Sequence, residues 1–171
     1  NQLTKFGYML EALHCTVLRA RLYCYLGAYA TVRQWLGRVL QNPLLQDSAW
    51  LTLIAHITDA TLAYQIGDYR AVVDEVVITQ QLSERLGTPL LQANGLLLLG
   101  HAHLALQQWA AAEQAYAQAH ALYQQVGNLA LGAETSAGLA LVALAAAMRQ
   151  TARLRHAFPS LSRGASRCPP P

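Results

Sequence analysis

Few side chains in this sequence could do chemistry, and their spacing is against most of them. His101 and His103 stand two residues apart, so on a helix their rings leave on different faces and cannot share one metal ion. Asp74 and Glu75 are neighbours, whereas acid–base cleavage of a glycoside needs carboxyl groups opposed across a cleft. The pair reads as a solvated helix face. Ser48 and His56 lie two helical turns apart with neither a glycine elbow nor a partner carboxylate, which leaves a hydrolase triad unsupported. Lys5 is the only lysine and the eleven glycines are dispersed, so no phosphate loop can be drawn. The expectation is a protein that is not an enzyme and holds no metal or cofactor.

The cysteines point the same way. Cys15 and Cys24 are nine residues apart on what reads as one helix, about half a revolution from each other, and Cys168 is far off. Three unpatterned thiols fit a reducing, cytoplasmic setting, with Cys15 and Cys24 expected as small packing residues. The first residues show neither a basic start nor an apolar run, so no secretory leader is expected, and the absence of an initiator Met suggests a piece of a longer protein. Ala137 to Met148 is apolar but short, with Glu134 just before it, and reads as a buried helix rather than a membrane span.

Charge is unevenly divided. The net value is +3, yet residues 1–148 carry seven basic side chains against nine carboxylates, and Arg149, Arg153, Arg155, Arg163 and Arg167 supply the excess. A basic end without aromatics reads as a solvated terminus or linker, and nucleic acid is not expected on the folded part.

Something must position what polar residues there are, and the sequence repeats. Tyr29, Tyr69 and Trp109 are spaced by 40 residues, each just after a turn: Leu26-Gly27-Ala28, Ile66-Gly67-Asp68 and Leu106-Gln107-Gln108. Arg85-Leu86-Gly87 and Gln125-Val126-Gly127 keep the same frame, as does Lys5-Phe6-Gly7. With 54% hydrophobic residues, much alanine and leucine, and almost no proline before residue 159, the class is all-α. Each frame divides into two helices. In the clearest, Thr88 is placed as cap with Pro89 at the first helical position, the first helix runs from Leu90 to Leu106, and the second runs from Trp109 to Val126. Ala112, Tyr116, Ala119 and Tyr123 form its apolar stripe. Asp47 or Ser48, Asp68 and Asn128 are the other expected caps, and Gly7 is the expected entry to the first unit.

The units fall at about 8–46, 47–86 and 87–126, followed by a closing helix over 128–148. These make a helical repeat domain over 1–150 with about seven helices, an α-solenoid of antiparallel pairs. A fourth second-helix fails, since Arg149 replaces the aromatic and Pro159 enters its interior, so 151–171 is expected as a basic, Pro- and Ser-rich irregular tail.

Leu96, Leu99-Gly100, His103, Trp109, Ala112, Tyr116 and Ala119 resemble the tetratricopeptide repeat. The 40-residue period resembles the longer variant of bacterial signalling ATPases and transcriptional activators of the maltose-regulator type. The resemblance covers about residues 5–148, and it implies that the first helix of each pair lines a concave face. Carried over residue by residue, that face holds His14, Val17, Arg21 and Tyr25, then Ile57, Thr61 and Tyr64, then Asn94, Leu97 and His101, and lastly Glu134. It is mixed and sparsely charged, suited to a peptide segment, to another domain of a parent protein, or to a second copy. The resemblance thus implies an interaction scaffold within a larger bacterial regulator. The alternative is a small-molecule sensor centred on Tyr64, Asn94 and His101.

Overall fold

The computed structural model describes residues 2–157, and among the described residues it is all-α with no strand. Seven α-helices follow one another: α1 Gln2–Tyr25, α2 Tyr29–Leu40, α3 Ala49–Gln65, α4 Tyr69–Leu86, α5 Pro89–Ala105, α6 Trp109–Gln125 and α7 Leu129–Ala157, with a short 3-10 helix, Pro43–Asp47, between α2 and α3. Every helix packs on the next. The odd-numbered helices also touch in series, α1 on α3, α3 on α5 and α5 on α7.

The caps explain where the helices start. Ser48 Oγ accepts from the Leu51 N–H at 3.2 Å, Asp68 Oδ1 from Ala71 at 3.2 Å and Asn128 Oδ1 from Leu131 at 3.2 Å. Each satisfies a backbone donor that the first turn leaves without a partner. Thr88 precedes α5 without such a bond; its hydroxyl instead donates back to the Ser83 carbonyl at 3.3 Å. Gly7 is not an entry point, because α1 runs through it from Gln2.

The turn place that recurs every 40 residues is left-handed in all three units, at Gly27 (φ 78°), Gly67 (φ 81°) and Gln107 (φ 59°). The fourth such place is Ala147, which stays helical. Ala145-Ala146-Ala147 has the highest helix propensity available, and alanine pays a steric penalty in the left-handed region. So α7 passes the point where the closing helix was expected to stop, and residues 151–157 are helix rather than irregular tail. The rest of the expected tail lies outside the described residues.

Extending α7 also lengthens its apolar stretch. Within Leu129–Leu154, which spans 26 residues, an 18-residue window reaches a mean hydropathy of 1.7, long and apolar enough by length and composition to cross a membrane, although only 22% of that window is buried. The shorter stretch expected from sequence understated it. One side of α7 is engaged: Gly138 and Val142 meet α6, where the Tyr116 ring lies against Gly138.

Among the described residues the core is a series of four small clusters along the helices, two of them shared by α1, α2 and α3. Val17 packs with Val39, Leu45, Leu51, Ile54 and Ala55; Ala20 and Cys24 pack with Val32, Leu36 and Leu62; Ala60 and Ala63 pack with Val72, Val76 and Ala102. Largest is the cluster of α5, α6 and α7 around the fully buried rings of Tyr116 and Tyr123. Cys24 is buried as expected, whereas Cys15 is exposed.

Candidate functional site

A cavity of about 390 Å³ opens on the row of odd-numbered helices. Its lining comes from all four: Arg21 and Tyr25 of α1, Ile57, Thr61, Tyr64 and Gln65 of α3, Asn94, Leu97, Leu98 and His101 of α5, and Leu131 and Glu134 of α7. The spacing within each helix is that of one face, 21 and 25, then 57, 61 and 64, then 94, 97 and 101, so the helical repeat alone gathers them.

Nine of the eleven residues expected on the concave face therefore border one cavity. The two exceptions come from the start of α1. Val17 is fully buried in the core, because α1 turns residues 17, 20 and 24 toward α2 and α3. His14 is exposed but lies beyond the cavity, which reaches along α1 only as far as Arg21. Gln65, Leu98 and Leu131 were missed. Each was detectable as an i+4, i+1 or i−3 neighbour of a named residue, and a face wider than a single stripe would have included them.

The apolar floor is Ile57, Leu97, Leu98 and Leu131, and the polar groups are held by bonds between helices. Tyr116 Oη lies 2.7 Å from His101 Nδ1, and His101 Nε2 lies 3.2 Å from Glu134 Oε1. A carboxylate only accepts, so Nε2 donates to Glu134, and in the neutral imidazole Nδ1 then accepts from the tyrosine O–H. The chain of donors runs from α6 through α5 to α7. Tyr64 flanks the same imidazole with ring centroids 5.7 Å apart, and Tyr69 stands 5.9 Å from Tyr64 on the other side. Asn94, on the lining, has its Oδ1 accepting from Tyr123 Oη at 2.8 Å, which leaves its amide N–H groups free of that bond.

These phenols are weak acids that hold their protons. Burial, with smaller contributions from Tyr64 and Glu134, pushes Tyr116 up to about 12, and burial raises Tyr64 and Tyr123 as well. All three remain neutral donors across the physiological range, which suits hydrogen bonding and not nucleophilic attack. Cys24 is likewise kept as a thiol by burial, reinforced by the charge of Asp59.

A second, smaller cavity of about 250 Å³ lies among α2, α3 and α4, bordered by Arg33, Asp59, Asp68 and Glu75. His56 Nδ1 donates to Glu75 Oε2 at 2.7 Å beside it. Asp59 is raised by burial and then by Glu75, with His56 and Arg33 opposing. Among the described residues no group of three or more His, Cys, Asp or Glu side chains is arranged to hold a metal ion.

The aromatic after each turn packs locally rather than into the cavity. Trp109 is partly buried against the α5–α6–α7 cluster, and Arg149 lies over its ring at 4.5 Å from the centroid. The arginine that interrupts the aromatic series at the fourth turn thus covers the aromatic of the third. Trp35 is covered likewise by Arg19 at 4.7 Å, with Tyr23 beside it at 5.1 Å. No family model matches the chain, and no curated protein or solved structure matches it significantly.

Proposed function

We propose that this chain is a non-enzymatic protein–protein interaction scaffold, its helix pairs forming a tetratricopeptide-like α-solenoid within a larger cytoplasmic bacterial regulator. In this reading the cavity receives a peptide segment, from a partner or from another domain of the parent protein, by an apolar anchor. The observation that carries it is the convergence of all four odd-numbered helices on one cavity with an apolar floor and a polar rim. A volume of about 390 Å³ accommodates one or two large side chains. Arg21 and Glu134 are the only charged residues on the lining and stand on the first and last helices, so they can orient a segment without clamping a strong anion.

A displayed random-peptide library tests this, selected on the full chain and counter-selected on Tyr64→Ala. Enriched sequences should carry a bulky apolar residue flanked by hydrogen-bonding groups, and Leu97→Glu should weaken them at least about tenfold, or 1.4 kcal/mol, with helicity unchanged. Enrichment equal on chain and variant would remove the cavity from the reading.

One observation favours a second reading, a small-molecule effector sensor. The Tyr116, His101 and Glu134 chain links three helices at the cavity wall, so a ligand that bonds to His101 would act on α5, α6 and α7 together. Saturable thermal stabilisation by a metabolite, lost in Tyr64→Ala, would establish it; flat melting curves across a broad library would eliminate it.

A further inference from the structure

Outside the cavity, the least satisfied surface is the outer side of α7. At the place that recurs through Ala20, Ala60 and Gly100, three residues are buried beneath the second helix of their own pair, while their fourth counterpart, Ala140, is exposed. Beside it Ala137, Leu141, Leu144 and Met148 follow at intervals of four, three and four residues, the spacing of a coiled-coil seam. All are exposed, Leu141 by 54%, Leu144 by 58% and Met148 by 64%. No charged residue lies between Glu134 and Arg149.

The seam complements itself in one direction only. With two copies antiparallel and Leu141 set against Leu144 of the partner subunit, Ala137 falls against Met148 of the partner subunit, small on large. The two-fold axis repeats both pairs to make four layers. A parallel pairing would place alanine on alanine and methionine on methionine, leaving a gap in one layer and crowding in another. The large seam residues expose roughly 100 Å² each, and with the alanines and flanking atoms of both copies the contact reaches about 1,000 Å², the lower end of specific interfaces. Lipid is a poorer occupant, since Glu134 sits inside the apolar window and is bonded to His101.

We propose that α7 pairs antiparallel with α7 of a second copy through Ala137, Leu141, Leu144 and Met148, giving a two-fold dimer. The test is sedimentation velocity of the full chain from about 1 to 200 µM, where mass should rise from one chain to two. Leu141→Glu should shift that transition at least about tenfold upward with the circular dichroism spectrum retained, whereas Ala143→Glu, on another exposed side of α7, should not. With Cys15, Cys24 and Cys168 replaced, a mixture of Leu141→Cys and Leu144→Cys chains should oxidise to a cross-linked dimer faster than either alone. A monomer at every concentration, a dimer indifferent to Leu141→Glu, or faster cross-linking of Leu141→Cys with itself would overturn the proposal. Seam-dependent capture of the chain by phospholipid vesicles in place of dimerisation would overturn it in favour of a membrane contact.

Discussion

The Tyr116 ring fills the space between two glycines, and this makes the sign of a glycine substitution predictable. A Cβ on Gly100 would lie 2.6 Å from Cδ1 and Cε1 of the ring, and one on Gly138 would lie 2.7 Å from its Cε1 and Cζ. Carbon atoms in good contact sit at about 3.5–4.0 Å, so the ring would have to retreat by about an ångström from α5, directly into α7. Helix propensity alone predicts that Gly100→Ala gains about 1 kcal/mol. Overpacking against a ring pinned on both faces costs about 1–3 kcal/mol. With the ring's hydroxyl also tied to His101 at 2.7 Å, the upper part of that range applies, for a net loss of about 1–2 kcal/mol. Gly37 is the control. It lies within α2, and a Cβ there would meet nothing within 4 Å, so Gly37→Ala should gain about 0.5–1 kcal/mol.

The repeat supplies its own correction. Gly100 faces Tyr116 where the first unit has Ala20 in one cluster with Leu36 and the second has Ala60 with Val76. Backbone volume is given up where the facing side chain is largest. Tyr116→Leu alone should cost about 2–4 kcal/mol through lost ring area and the lost bond to His101. Combined with Gly100→Ala it recreates the pair of the first unit, and the double variant should be more stable than the sum of the singles by about 2–3 kcal/mol, the overpacking cost that is relieved. Urea unfolding followed by circular dichroism, with all four chains at one protein concentration, measures the cycle. Gly100→Ala as stabilising as Gly37→Ala, or strict additivity in the double variant, would show that the ring is not clasped in this way.

Four other outcomes are expected. Tyr123→Phe, which removes only the buried donor to Asn94 Oδ1 at 2.8 Å, should cost about 1–2 kcal/mol in urea unfolding and free the Asn94 amide at the cavity wall. Trp109→Ala should cost about 2–3 kcal/mol, less than a fully buried tryptophan because the ring is only partly enclosed, and Arg149→Ala should cost about 0.5–1 kcal/mol through the same ring. Asp59 has a folded pKa above its ordinary 3.8, from burial and then Glu75, so the folded protein holds this proton more tightly and Asp59 subtracts stability as pH rises from near 4 through the folded value. Asp59→Asn should flatten that part of a melting-temperature profile and raise stability at neutral pH. An unchanged profile would place the carboxylate in water.

What was legible in the sequence was whatever repeated. The frame of turns at Gly27, Gly67 and Gln107 locates α1 to α6, because a left-handed residue between two helical stripes is a local event that neighbouring residues announce. The cavity lining was nearly as legible, since the face implied by the resemblance to tetratricopeptide repeats, carried along the period, reaches residues 21, 57, 61, 64, 94, 97 and 101. Val17 escaped because that face was carried back along α1 as though the helix kept one side to the groove for its whole length. Its stripe of 17, 20 and 24 is instead the side that α2 and α3 cover. Distances between helices were not legible at all: nothing in the spacing of His101, Tyr116 and Glu134 says that they form one chain of bonds.

The end of the array shows why a repeat cannot be read from its marker aromatics alone. At the fourth turn the sequence loses two things, the aromatic that would begin the next helix and the residue that would allow the chain to reverse. Loss of the aromatic suggests the end of helix, but an aromatic stabilises a packed pair and has little bearing on whether a single helix continues. Reversal depends on the turn residue. Gln107 shows that a non-glycine can occupy it when the flanking helices pack on each other. Among the described residues no helix follows α7 to offset the strain of a left-handed Ala147, so helix propensity decides and α7 runs through to Ala157. The continuation has a structural consequence: a side chain row that a turn would have folded onto its own partner helix is held straight and apolar toward the outside. Replacing Ala147 with glycine, and the next residues with the Asp68-Tyr69 of the second unit, should break α7 near that point. Circular dichroism should show the loss of helical signal. Its retention would mean that α7 is held straight by contacts other than its own propensity.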